Sequence, residues 1–252
     1  MNGLASCLIL GICLIPICSQ ALSPFCSASA SALSGITLLS DSPADFTLSP
    51  LIASTGICAS YQKPFNLSDT SLYGLHSAFS QGVLSFASGI NYLDNPAYRW
   101  QDEYLCLGLV LASIKLGATQ HLIYEKIASD TWFTWDNDYA LGFEGSDYGM
   151  ELRCNNARSS DAALVLSACS RVGSQTRMAS SCTWRRHERS SYAVASVYQI
   201  AKPLALQTSW QDEPSRFGFG IRVSIKGIDL QYAVQTHPEL SLTHSVDIGT
   251  AW

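Results

Sequence analysis

Charge is scarce in this chain: Asp, Glu, Lys and Arg make up 14% of its 252 residues, against roughly 25% in soluble domains. Basic residues are scarcer still, 15 Lys and Arg against 20 Asp and Glu, for a net charge of −5. That balance excludes nucleic acid as a partner, because phosphate binding needs a basic footprint. After the first two dozen residues no run of 18 apolar residues occurs, which excludes a membrane-spanning helix there. The nine cysteines contain no CxxC pair, and the five histidines no HExxH, so no metal site is expected. No GxSxG elbow accompanies the many serines, and Gly218-Phe219-Gly220 sits inside an alternating stretch, not between a strand and a helix. The expectation is a protein without catalytic residues, cofactor or metal.

What the chain does contain begins with an export signal over residues 1–21. Leu8 to Ile17 is almost unbroken apolar sequence, and Ser19-Gln20-Ala21 offers small residues for cleavage, with Ala28-Ser29-Ala30 as a second site. Cys7, Cys13 and Cys18 belong to this segment. Cys26, Cys58, Cys106, Cys154, Cys169 and Cys182 remain; they lie in apolar or small-residue surroundings and read as packing residues, with cross-strand disulfides left open. Residues 22–55 form a Ser/Ala-rich leader or plug without periodicity.

From about Gly56 to the last residue, apolar and small or polar residues alternate with period two. Phe217, Phe219, Ile221, Val223 and Ile225 oppose Arg216, Gly218, Gly220, Arg222, Ser224 and Lys226, and Gly227 marks a tight turn. Ile228, Leu230, Tyr232 and Val234 then oppose Asp229, Gln231, Ala233 and Gln235. After 236–239, a last strand is expected from Leu240 to Trp252, with Val246, Ile248, Thr250 and Trp252 on one side and Asp247 on the other. Turn signals recur at Asp94-Asn95-Pro96, Gly145-Ser146-Asp147, Ser159-Ser160-Asp161 and Asp212-Glu213-Pro214. The predicted fold is all-β: a transmembrane antiparallel up-and-down β-barrel over 56–252 with about 12–14 strands.

A soluble secreted β-sandwich also alternates, but several features favour a barrel in lipid. The face opposite the apolar one is small and polar instead of charged. Aromatics such as Tyr92, Tyr148, Tyr192 and Trp252 lie near strand ends, where interfacial girdles form. The pattern runs to the final residue, as it must where the last strand pairs with the first. Arg216, Arg222, Lys226, Asp229, Gln231 and Asp247 are then expected to line the lumen, as a polar pore or as an internal network. The acidic-aromatic stretch Trp132 to Tyr139, with Asp136, Asn137 and Asp138, and the basic stretch Thr183 to Arg189 are expected at the mouth or in hairpin ends.

The tail from Arg216 through Tyr232-Ala233-Val234 and His237-Pro238-Glu239-Leu240 to Val246-Asp247-Ile248-Gly249 and Trp252 resembles the closing hairpin of the FadL superfamily of outer-membrane barrels, PorV-type members in particular. Ser49-Pro50-Leu51-Ile52-Ala53 is loosely similar to that family's early Asn-Pro-Ala element, with Ser49 in place of Asn and Leu51 in place of Ala. The resemblance implies a 14-stranded barrel in the bacterial outer membrane. It implies an assembly signal at Val246, Ile248, Thr250 and Trp252, read by the barrel-assembly machinery, and contact with outer-membrane lipid and lipopolysaccharide. It also implies one of two roles: transport of small molecules, hydrophobic ones included, through a porin-like channel, or a non-conducting accessory barrel that holds secreted proteins.

Overall fold

The computed structural model describes residues 27–158, 162–186 and 188–251. The segment expected to be the signal, together with Cys26, the Ser159-Ser160-Asp161 turn, His187 and Trp252, lies outside them. The chain forms one closed barrel of 14 antiparallel strands: β1 (Gly56–Lys63), β2 (Ser71–Gln81), β3 (Leu84–Asp94), β4 (Tyr98–Leu111), β5 (Ile114–Ile127), β6 (Asp130–Glu144), β7 (Tyr148–Asn155), β8 (Ala163–Val172), β9 (Thr176–Arg185), β10 (Ser191–Ala201), β11 (Leu204–Gln211), β12 (Arg216–Ile225), β13 (Ile228–Gln235) and β14 (Thr243–Ala251). Each strand pairs with its sequence neighbours, and β1 pairs with β14 from Gly56↔Ala251 to Lys63↔His244. The strand number is the upper end of the expected range. A single closed sheet, and not two packed sheets, sets aside the sandwich alternative.

Period-two alternation does the sorting. Along β1, Gly56, Cys58, Ser60 and Gln62 are buried while Ile57, Ala59 and Tyr61 are exposed. The same alternation runs through β12, where Arg216, Gly218 and Gly220 are buried and Phe217, Phe219 and Ile221 face out. Large apolar side chains are therefore the exposed ones: Leu107 is 58% exposed and Phe219 45%. A belt of this size would be poorly solvated by water and suits hydrocarbon. Near one rim the belt ends in an outward aromatic row. Tyr61, Tyr73 and Tyr92 are successive cross-strand partners, and after Gln101 the row resumes with Tyr124 and Phe133, whose rings are 5.2 Å apart. Tyr148 and Tyr192 also face out, at strand starts.

The two rims differ. One carries the connections 82–83, 112–113, 145–147, 173–175, 202–203 and 226–227; the other carries 64–70, 95–97, 128–129, 156–162, 186–190, 212–215 and 236–242. Lys226 and Gly227 both have positive φ, 52° and 82°, the two-residue turn whose twist matches a β-hairpin. Lys226 is therefore exposed in the short-turn rim and does not line the lumen. The last strand also starts later than expected, at Thr243: Leu240 and Leu242 are exposed in the preceding connection. No helix among the described residues is long and apolar enough to cross a membrane.

Residues 27–55 lie inside the barrel. A short helix, α1 (Ala28–Ala32), and two 3-10 turns, Thr37–Leu39 and Pro43–Thr47, are almost wholly buried against the inner faces of the strands. Small inward residues make the room. A Cβ at Gly218 would come within 2.6 Å of the Ala32 and Ser31 carbonyl oxygens, and one at Gly117 within 2.6 Å of Pro50. Ala179, Ala193, Ala195 and Ala233 pack around Leu33 and Ile36.

Candidate functional site: the lumen from rim to rim

The inner segment is held mainly by hydrogen bonds from its own backbone and hydroxyls to inward polar residues. Asp247 accepts from the Ala28 amide at 2.9 Å, and Ser245 bonds Ser31 at 2.9 Å. Glu151, 2% exposed, accepts from Thr37 at 2.7 Å and from Ser49. Its neighbour Arg153 donates to the carbonyls of Leu48 and Gly35, and its Nε lies 3.8 Å from the Glu151 carboxylate. A buried carboxylate and guanidinium of this kind need such partners, because desolvation of either alone is costly. Within the segment, Asp45 accepts from Ser27 and Ser40; burial raises its carboxyl above the usual range, and these two bonds lower it part of the way back.

Toward the long-loop rim, β2, β4, β5 and β6 contribute a buried polar row. His76 Nδ1 meets the Tyr104 hydroxyl at 3.1 Å, and His121 Nδ1 meets Asp102 at 2.9 Å while its Nε2 lies 3.6 Å from Asp138. Gly89 sits between His76 and Tyr104, where a Cβ would come within 2.8 Å of both. Asp138 and Asp136 accept from the amides of Asn156 (2.7 Å) and Arg158 (3.1 Å). The acidic stretch thus fastens the β7–β8 connection, and no group of residues suited to a metal ion occurs among the described residues.

Above that row β2 to β5 place an apolar cluster on the inner face, with the carboxylate of Glu125 beside it. Leu72 and Leu93 are buried against Tyr98 and Trp100, whose side chains face inward on β4. Ile123 and Ile127 continue the same inner face on β5, and Tyr98 donates to Glu125 at 2.8 Å. The even residues of β4 face inward throughout, but the polarity of its two faces inverts here. Its lower half shows Leu105, Leu107 and Leu109 outward and Cys106 and Gly108 inward; its upper half shows Arg99, Gln101 and Glu103 outward. That inversion is the sequence signal that marks an inward apolar cluster, and it is absent from a plain search for alternation.

At the short-turn rim two cavities adjoin the inner segment. One, about 280 Å³, has Lys115, Arg171 and Arg177 facing Asp41, Glu144, Asp147 and Glu151. The other, about 420 Å³, lies between the β8–β9 and β10–β11 hairpins, β12, and Leu39 and Asp41. Inward arginines are concentrated on one side of the barrel: Arg153, Arg171, Arg177, Arg185, Arg216 and Arg222 face in from β7 to β12, with Glu151 among them, whereas Asp102, Asp136 and Asp138 face in from β4 and β6.

Of the residues singled out in sequence, Arg216, Gln231 and Asp247 are buried and inward. Gln231 donates to Gln207, Arg222 bonds Asp229 at 2.9 Å and also Asp41, and Asp247 holds the inner segment. They therefore serve several different contacts instead of one patch. Val246, Ile248 and Thr250 face outward on β14. The five described cysteines, Cys58, Cys106, Cys154, Cys169 and Cys182, are free thiols. Sequence reasoning missed Glu151, Arg153 and the His76–Tyr104–His121 row, because such contacts join residues far apart in the chain.

No family model matches the chain, and no curated protein matches it in sequence. Its structure is similar to that of the CymD monoaromatic hydrocarbon channel, with a TM-score of 0.65 and 8% identity over 90% of this chain and 98% of that one. A mutant of the Rh. blastica porin aligns over 79% of this chain and 99% of its own, at 6% identity and a TM-score of 0.48. At such identities the likeness is one of fold: the chain shares with the CymD channel the architecture of a closed antiparallel β-barrel.

Proposed function

We propose that the protein is an outer-membrane channel that admits small, largely apolar molecules, in the manner of the FadL-like barrels its tail resembles. In this reading the short-turn rim faces the periplasm, as short turns do in outer-membrane barrels, and the inward apolar cluster lies toward the cell exterior. The observation that carries the reading is the inward cluster of Leu72, Leu93, Tyr98 and Trp100. A lumen built only for water-soluble solutes would be polar at that level, and burying apolar ligand area against such a surface is worth about 25 cal/mol per Å². The name of the CymD channel, a structural neighbour, fits a solute of this class.

Trp100 gives the test. A small arene added to the detergent-solubilised protein is expected to quench tryptophan fluorescence saturably, and Trp100→Gln to weaken that binding and slow arene uptake by cells together. Saturable quenching that survives Trp100→Gln unchanged, or uptake that ignores it, would sink the proposal. A second reading, the non-conducting accessory barrel resembling PorV, is favoured by a different observation: residues 27–55 are packed inside the barrel against the inner faces of its strands. It requires arene uptake to be the same with and without the protein.

A further inference from the structure

Arg171 on β8 and Arg177 on β9 are direct cross-strand partners. Both point inward, and both line the 420 Å³ cavity at the short-turn rim. Like charges placed directly opposite each other in a sheet are destabilising, and neither arginine forms an ion pair among the described residues. Lys202 and Arg222 line the same cavity. Lys202 likewise has no ion pair among the described residues, whereas Arg222 is held by Asp229 at 2.9 Å and by Asp41. Asp41 is the one carboxylate in the lining.

The cavity is built as well as charged. Arg177 is oriented by a 2.7 Å bond from its Nη2 to the Leu38 carbonyl, and Arg222 by its two carboxylates, so two of the four cations are fixed before anything binds. The neighbouring 280 Å³ cavity shares Arg171 and Arg177 but adds Glu144, Asp147 and Glu151, which would repel an anion from that side and leave the larger cavity as the place for one. We propose that this cavity is a binding site for a small oxyanion, a carboxylate or a phosphate, seated between the Arg171–Arg177 pair and Lys202. Guanidinium forks match both kinds of oxyanion in geometry. The site does not depend on transport: it rests on the register of β8 and β9 and on the charges around one cavity.

The full chain in detergent, at constant ionic strength set with chloride, is titrated with inorganic phosphate and, separately, with acetate, following the melting temperature and the heat of binding. Saturable binding of either anion is expected, weakened about tenfold or more in Arg171→Gln and in Lys202→Gln, the loss of one charge-assisted bond. Arg186→Gln, in the connection at the opposite rim, should bind as the parent does. Because Arg171→Gln also relieves the opposed charges, it should melt no lower than the parent without anion, so weak binding cannot be put down to misfolding. Absence of saturable binding by both anions, or binding unchanged in Arg171→Gln and Lys202→Gln, would overturn the proposal. Arene uptake that fails while phosphate still binds would remove the transport reading and leave this site standing.

Discussion

Asp45 is 1% exposed in the middle of the inner segment, with Ser27 and Ser40 as donors. Burial raises its carboxyl above the value of about 3.9 that a released segment would show. The higher value belongs to the docked state, so docking takes up a proton. The Asp45 contribution to docking is therefore complete below about pH 3.9 and is lost as pH rises through the shifted value. Limited proteolysis within residues 27–55 should accelerate across that window, and Asp45→Asn should flatten the dependence. An unchanged slope in the variant would assign it to other groups. Asp45 was legible in the sequence only as one acid in a Ser-rich stretch. Its surroundings come from how the segment folds back on itself, which local composition does not encode.

At the level of single elements, β12 shows why alternation reads so well in part of the chain. Its outward residues are large and apolar and its inward ones are Arg216, Gly218, Gly220 and Arg222, so each face has a distinct composition. The glycines are there because α1 lies against them. Gly218→Val would drive its side chain into the Ser31 and Ala32 carbonyls, and overpacking of this kind costs about 1–3 kcal/mol. The expected result is an inner segment that proteases cut readily while the barrel still shows heat-modifiable migration. Gly142→Ala is the contrast: its new Cβ meets the end of the Leu51 side chain at 2.7 Å, an atom that can move, and the segment should stay protected. Boundaries were less legible than faces. Leu240 and Leu242 extend the even-position apolar row of Val246 and Ile248 backwards, yet pairing between β13 and β14 begins at Gln235↔Thr243; periodicity alone does not say where hydrogen bonding starts. The upper half of β4 hid its role for a related reason, since its inward residues Tyr98 and Trp100 are as apolar as a lipid-facing row.

For the whole molecule the decisive feature is that the lumen is occupied. Removal of residues 27–55, with residues 1–26 kept, should leave a barrel whose 14 pairings do not involve that segment. Such a barrel should carry a larger single-channel current in planar bilayers than the parent chain. Equal currents would mean that solutes already bypass the segment. The barrel itself was readable from sequence because each strand reports its own two environments. The arrangement inside it was not, since Glu151 reaching Thr37 and Ser49, or Arg153 reaching Gly35 and Leu48, joins positions about a hundred residues apart.

The bond from the Ala28 amide to Asp247 spans 219 residues, and with it the structure acquires an order in time. The ribosome makes the inner segment before its anchor on β14. Until that strand has arrived and paired with β1, the Ala28 amide lacks its Asp247 acceptor, and loop-closure entropy opposes so distant a contact. An early-made part of the chain is thus fastened by a late one. A molecule whose ring has not shut keeps that segment loose, which gives a cell a visible mark of unfinished work.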